Sequence, residues 1–182
     1  MGNLTNKVRK KKSRQKKIKV VLLIIITTAI AFFHASSALY LRAMFNVKTL
    51  LPTWEIPKSD TLFTVGDLTI LKYDMAIKIL RDKNYVISEQ IQIVAILLLL
   101  AVVVYMIGKS ILDRIALFMF AGGLFSMLYY GFLFAFLRWP DSFFSKDIVS
   151  FLPTPVIVPI YMPVLLGALV FLGGTFLVLK RK

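Results

Sequence analysis

The feature that most constrains this fold is an uncharged stretch of 22 residues, Val20 to Leu41, which follows directly on a strongly basic segment. Nine lysines and arginines lie between Lys7 and Lys19, with no acidic residue among them. A helix rises about 1.5 Å per residue, so the uncharged stretch is long enough to cross the roughly 30 Å hydrocarbon layer of a bilayer. Because dense positive charge beside a span is retained in the cytoplasm, we expect the N-terminal tail on that side.

Composition agrees with a membrane location. The 182 residues are 58% hydrophobic with a mean hydropathy of +0.78, well above the range of soluble domains. Residues 35–38 (Ala-Ser-Ser-Ala) resemble a signal-peptidase site, but the apolar stretch continues to Leu41, which favours a retained anchor over a cleaved leader.

Three further apolar segments predict three further spans. The predicted spans cover residues 20–41, 91–107, 115–137 and 164–179. Ser110 and Asp113 have the spacing of a capping box, so the second and third spans are expected to form a helical hairpin. The expected fold is an all-α membrane protein: a four-transmembrane-helix bundle after a basic tail (1–19), with both termini cytoplasmic and outer loops at 46–90 and 138–162.

The charge is distributed very unequally between the two predicted faces. The cytoplasmic segments hold 14 basic residues and one acidic residue, whereas the outer segments hold nine basic and eight acidic residues. This bias follows the positive-inside rule, so the net charge of +14 indicates orientation rather than nucleic-acid binding. The expected partner of the tail is the anionic lipid of a plasma membrane.

The first outer loop predicts a small extracytoplasmic cap. Two β-prone runs, Thr61–Val65 and Leu68–Leu71, flank Gly66-Asp67, which is typical of a β-hairpin. From Tyr73 to Lys83 the apolar spacing changes to that of a short amphipathic helix. Such a cap either packs over the helix ends as a lid, or it has a functional role in gating or in recognition.

The second outer loop is rich in proline and apolar residues, which favours an irregular stretch lying at the interface or against other protein. It is the best candidate for a partner-binding surface, unless its prolines only set the start of the fourth span. The candidate partner-binding residues are Trp139, Pro153, Pro155, Pro159 and Tyr161.

Small residues predict the faces along which the helices pack, because they allow close approach of a neighbouring helix. On the first span, Thr27, Ala31 and Ala38 share one face with His34. On the later spans the predicted packing residues are Gly122, Ser126, Gly167 and Gly173.

His34 is the one sharp candidate for chemistry. Within the predicted spans it is the only titratable group apart from tyrosine, and an intramembrane imidazole can ligate a cofactor or accept a proton. Ser37, one turn further on, could pair with it; the alternative is a structural histidine bonded across the packing face. The chain lacks cysteine, a second histidine and a carboxylate at that depth, so neither a metal site nor catalytic residues are predicted and no cofactor can be named.

These patterns favour a non-catalytic accessory, assembly or scaffold subunit of a larger integral-membrane complex, with other membrane subunits as partners. A membrane-embedded enzyme or cofactor protein using His34 is the first alternative. A small oligomeric transporter or pore is the second, although the spans lack the midplane charge that such proteins usually carry.

Overall fold

The computed structural model describes residues 2–44, 59, 61–80, 83–139, 142–149 and 155–180. The elements, in chain order, are helix α1 (Gly2–Met44), strands β1 (Thr61–Val65) and β2 (Leu68–Leu71), helices α2 (Tyr73–Leu80), α3 (Lys83–Ile107) and α4 (Ile111–Leu137), strands β3 (Lys146–Val149) and β4 (Val156–Pro159), and helix α5 (Tyr161–Lys180).

Among the described residues, four helices are long and apolar enough to span a membrane, so the protein is a multi-pass, mostly helical membrane protein. The spanning segments are Lys17–Leu41, Asn84–Ile107, Ile111–Leu137 and Tyr161–Lys180. All four begin earlier than the predicted spans. The basic tail is also helical, since α1 runs without a break from Gly2 into its spanning segment.

One end of the bundle is marked by basic side chains, and we call it the basic end. There Lys19 Nζ donates to the carbonyl oxygen of Ile107 at 3.0 Å, which links α1 to the last turn of α3. The predicted cap of α4 is present: Ser110 Oγ accepts from the backbone nitrogen of Asp113 at 3.2 Å. The short turn between α3 and α4 therefore makes these two helices antiparallel neighbours.

The most extensive helix contact joins α4 and α5, followed by the contact of α1 with α4. Glycines allow the first of these, because a Cβ at Gly123 would lie 2.4 Å from the Gly167 carbonyl oxygen. A Cβ at Gly174 would likewise lie 2.4 Å from the backbone nitrogen of Phe120. Helix α3 packs less closely, since its contacts with α1 and α4 are less extensive than either of those two helix contacts.

At the opposite end, which we call the sheet end, four short strands of the described part of the chain form one sheet in the order β1-β2-β4-β3. All the neighbouring strands are antiparallel. The β1–β2 pair turns at Gly66, whose φ of +56° is in the left-handed region that glycine adopts easily.

The second outer loop was expected to be irregular, and this expectation was wrong in part. Lys146–Val149 and Val156–Pro159 are strands, and β4 joins the first loop to the second by pairing with β2. Proline is tolerated here because Pro155 precedes β4 and Pro159 ends it.

The sheet is held on the helices by a small core of its own. Its buried side chains come from β2, α2, the first turns of α3, β3 and β4, and they are Leu71, Met75, Tyr85, Val86, Ile148 and Ile157. Helix α3 begins at Lys83, earlier than the predicted start at residue 91, and its first turns pack under the sheet.

Candidate functional site

The predicted face of α1 is buried. Thr27 and Ala31 have no exposed surface, Ala38 is 3% exposed and His34 is 8% exposed. These small side chains allow α4 to pack closely along the face. His34 is thereby placed inside the bundle, towards its sheet end.

Aromatic rings of α4 enclose the imidazole on one side. The Tyr129 ring is stacked on His34 with the centroids 4.7 Å apart, and the Phe125 ring lies 5.7 Å away. Both rings come from one face of α4, since residues four apart in a helix are neighbours. The contacts hold the imidazole in one orientation.

Helix α3 completes the site with Gln92, whose side chain lies within hydrogen-bonding reach of the imidazole. Gln92 Nε2 donates to Ser37 Oγ at 2.8 Å, so this amide bridges α3 and α1. Among the described residues, neither His34 Nδ1 nor Gln92 Oε1 has a hydrogen-bond partner of good geometry, although both atoms are buried. The imidazole and the Gln92 amide are therefore close together, and one buried atom of each lacks a hydrogen bond of good geometry.

The chemistry available to this site is narrow. Ser37 interacts with Gln92, which gives no support to the predicted pairing of Ser37 with His34. Within the described part of the chain, no group of three or more His, Cys, Asp or Glu side chains could hold a metal ion. The imidazole can exchange a proton, accept a hydrogen bond or supply one ligand to a cofactor.

Two buried carboxylates lie near the sheet end and were not expected from the sequence. Asp147 of β3 is 3% exposed, and its Oδ2 accepts from Tyr130 OH at 3.3 Å. Its Oδ1 accepts from the backbone nitrogen of Ile148 at 2.9 Å. The second buried carboxylate is that of Glu89 in α3, which is 8% exposed. Asp147 and Glu89 both lie in segments that the sequence predicts to be outer loops.

The signal for Glu89 was present in the sequence. Tyr85, Glu89 and Gln92 are spaced four and three apart, which places them on one face of a helix that starts before residue 85. Tyr85 OH donates to Glu89 Oε1 at 3.4 Å along this face. Starting the span at residue 91 separated Gln92 from the other two.

The predicted packing residues of α4 and α5 lie at the contact in part. Ser126 and Gly167 touch, since a Cβ at Gly167 would be 2.9 Å from Ser126 Cβ. Gly122 differs from the prediction: a Cβ there would meet nothing within 4 Å, and Gly123 is the residue at the contact. Gly173 meets only the flexible end of Met119, at 3.3 Å.

The candidate partner-binding residues have different positions. Pro155 and Pro159 are fully buried within the chain, where they flank β4. Trp139 and Tyr161 are half-buried at the end of α4 and the start of α5. Pro153 lies outside the described residues.

An exposed apolar row crosses the sheet. Directly paired residues share a face of a sheet, and the register pairs Phe63 with Ile70, Ile70 with Val156, and Val156 with Val149. Phe63 is 58% exposed and the other three are half-buried. These four residues form what we call the apolar row.

The spanning helices carry a second exposed apolar feature, an open groove of about 400 Å³ between α1 and α4. Small side chains, Thr28 and Ala29, lie between aromatic ones in this groove. Three phenyl rings line it, those of Phe32, Phe33 and Phe132.

Comparison with known proteins adds no relationship to these features: no family model matches the sequence, and neither a curated protein nor a solved structure matches it.

Proposed function

We propose that this protein is a non-catalytic accessory, assembly or scaffold subunit of a larger integral-membrane complex. The observation that carries the proposal is the apolar row on the sheet. Exposed side chains on spanning helices are covered by lipid, whereas the sheet packs on the ends of the helices through a core of its own. An apolar face there is stabilised by burial against another protein.

The edge of the sheet supports the same proposal. Strand β1 lies at one edge of the sheet formed by the described residues, and its side chains from Leu62 to Val65 are exposed. Natural proteins usually protect edge strands with charges, prolines or covering segments. An apolar, exposed edge strand suits a partner that adds its own strand there, with side-chain contacts on the apolar row.

The groove on α1 offers a second contact, one inside the bilayer. Small residues between bulky ones permit close approach of another helix. A partner subunit with one spanning helix and one extramembrane segment would fit both surfaces.

The orientation belongs to the same proposal. The basic end faces the cytoplasm of a plasma membrane, where anionic lipids attract the tail, and the sheet with α2 forms an extracytoplasmic cap. Since the chain has no cysteine, single cysteines report orientation directly. In intact cells, a membrane-impermeant maleimide should label Lys72→Cys and leave Lys109→Cys unlabelled; the reverse result would refute this orientation.

The function itself is tested by crosslinking in native membranes. A photo-reactive amino acid at Phe63 should crosslink to a second protein that also co-purifies in mild detergent, and the same group at exposed Lys78 of α2 should not. Phe63→Lys should abolish this association, whereas Thr64→Lys should preserve it, because Thr64 is exposed on the other face of β1. A single 20.7 kDa chain without crosslinks would contradict the proposal.

A second function, binding of a cofactor at His34, is favoured by one specific observation. The buried Nδ1 of His34 and Oε1 of Gln92 have no hydrogen-bond partner of good geometry among the described residues. A bound polar group would satisfy both atoms. An absorbance spectrum of the protein purified in mild detergent, unchanged in His34→Ala, would rule out a histidine-ligated chromophore.

A further inference from the structure

A short turn before β3 presents two phenyl rings outward. Phe143 is 67% exposed and Phe144 is 78% exposed. Hydrogen bonds within the turn fix its shape: Phe144 N donates to Ser142 Oγ at 3.1 Å, and Ser145 N donates to Ser142 O at 3.1 Å. The two exposed rings are thus carried by a turn with its own backbone hydrogen bonds.

Two further hydrogen bonds set the level of this turn along the bundle. Tyr161 N donates to the carbonyl oxygen of Phe143 at 3.0 Å, and Ile160 N donates to that of Ser145 at 2.9 Å. Tyr161 is the first residue of the spanning helix α5. The Phe144 ring also contacts the Tyr161 ring edge-on, with the centroids 5.8 Å apart. Both phenyl rings therefore lie at the level where a span begins.

The level of the turn along the bundle determines whether lipid or water covers the two rings. The first turn of a spanning helix lies at the boundary between headgroups and acyl chains, where aromatic side chains are enriched. Lys146, just after the turn, is half-exposed, and its Nζ lies 3.9 Å from Asp67 Oδ1 in an exposed ion pair. Water is the costly alternative for two exposed phenyl rings.

We propose that the Phe143–Phe144 turn is a lipid anchor: both rings insert into the bilayer interface at the sheet end and hold β3 and β4 against the membrane surface. The anchor is distinct from the apolar row, which faces a protein partner. It requires no other subunit, so it operates in the isolated protein.

The test uses spin labels in vesicles of phosphatidylcholine and phosphatidylglycerol. A nitroxide is attached to a single cysteine at Phe144→Cys, or at Phe143→Cys as an independent variant. Both positions are exposed, and Phe143→Cys keeps the edge contact of Phe144 with Tyr161 that Phe144→Cys removes. Collisions with oxygen, which concentrates in acyl chains, are compared with collisions with a water-soluble nickel chelate. Lys72→Cys, an exposed position next to β2, is the aqueous control, and Leu169→Cys, 67% exposed on α5, is the lipid control.

The expected result is a several-fold higher ratio of oxygen to nickel collisions at 143 and 144 than at 72, approaching the ratio at 169. A ratio equal to that at 72 would overturn the proposal, because the rings would then be in water. Low collision rates with both reagents, together with an immobilised spectrum, would also overturn it, because the turn would then be buried against protein.

Discussion

Gly123 of α4 and Gly167 of α5 pack backbone against backbone, and a Cβ at residue 123 would lie 2.4 Å from the Gly167 carbonyl oxygen. Ser126 strengthens this crossing by donating from Oγ to the carbonyl oxygen of Pro163 at 3.0 Å. Without a hydrophobic driving force between helices in lipid, such close packing and hydrogen bonding are what hold a bundle together. The crossing is therefore a principal determinant of stability.

The first prediction concerns this crossing. Gly123→Ala should lower the free energy of unfolding by about 1–3 kcal/mol, because the added methyl group forces two backbones apart. Gly122→Ala is the matched control: its Cβ meets nothing, and alanine favours a helix by up to about 1 kcal/mol. The unfolding midpoint of each variant is measured by heating the protein in detergent and using size exclusion to determine the fraction that stays folded. Equal midpoints for the two variants would show that the crossing is looser than described.

How far the sequence predicts this packing can be argued from the same two glycines. Composition identified α4 and α5 as spans, but Gly122 rather than Gly123 was assigned to the contact. A helix that is apolar on every side carries little periodicity to distinguish its packed face from its lipid face. On α1 the predicted face is buried. It could be predicted because the polar residues Thr27 and His34 distinguish it from the other faces of the helix.

The sheet shows which contacts a local sequence pattern can predict and which it cannot. The β1–β2 turn is local, and Gly66-Asp67 predicts it. The pairing of Ile70 with Val156 joins residues far apart in sequence, and no local pattern encodes that contact. The burial of Asp147 also involves a residue distant in sequence, since its Oδ2 accepts from Tyr130 OH of α4. Likewise, the bridge from Gln92 to Ser37 joins two helices whose relative rotation the sequence did not reveal.

The second prediction uses the buried hydroxyl of Thr27. Its Oγ1 has no hydrogen-bond partner among the described residues, and the side chain has no exposed surface. Thr27→Val keeps the branched shape and removes an unsatisfied polar group, so it should stabilise the protein by about 0.5–1.5 kcal/mol.

Thr175→Val is the matched comparison for Thr27→Val. Thr175 Oγ1 donates to the carbonyl oxygen of Phe171 at 2.7 Å, and its loss should leave the protein slightly less stable, by about 0.5 kcal/mol. Opposite shifts of the unfolding midpoint are expected. A destabilising Thr27→Val would mean that the hydroxyl is hydrogen-bonded in the membrane.

The third prediction concerns the contact of the sheet with α4. Tyr130→Phe removes the hydroxyl that donates to the buried Asp147, and it should destabilise the protein by about 1–3 kcal/mol, because hydrogen bonds to charged groups are the stronger ones. Tyr105→Phe is the control, since Tyr105 is 63% exposed and its ring contact with Arg114 does not need the hydroxyl. Amide hydrogen exchange of β3 should increase in the first variant alone. Unchanged exchange would place the support of β3 elsewhere.

The fourth prediction separates two neighbouring serines of α1. Ser37→Ala should lower the free energy of unfolding by about 1–2 kcal/mol, because Gln92 Nε2 loses the acceptor that it contacts at 2.8 Å and α1 loses its bridge to α3. Of the two helices that this bridge joins, α3 is the less buried. It should therefore separate from the bundle first and show the largest rise in amide exchange. Ser36 has the same chemistry one position earlier but forms no such bridge to the described residues. Ser36→Ala should stabilise the protein by no more than about 0.5 kcal/mol, because alanine favours a helix. The two variants differ only in position, so the difference between their unfolding midpoints measures the Gln92 bridge itself. If that difference is zero, the amide of Gln92 does not hold the site together, and His34 is oriented by the rings of α4 alone.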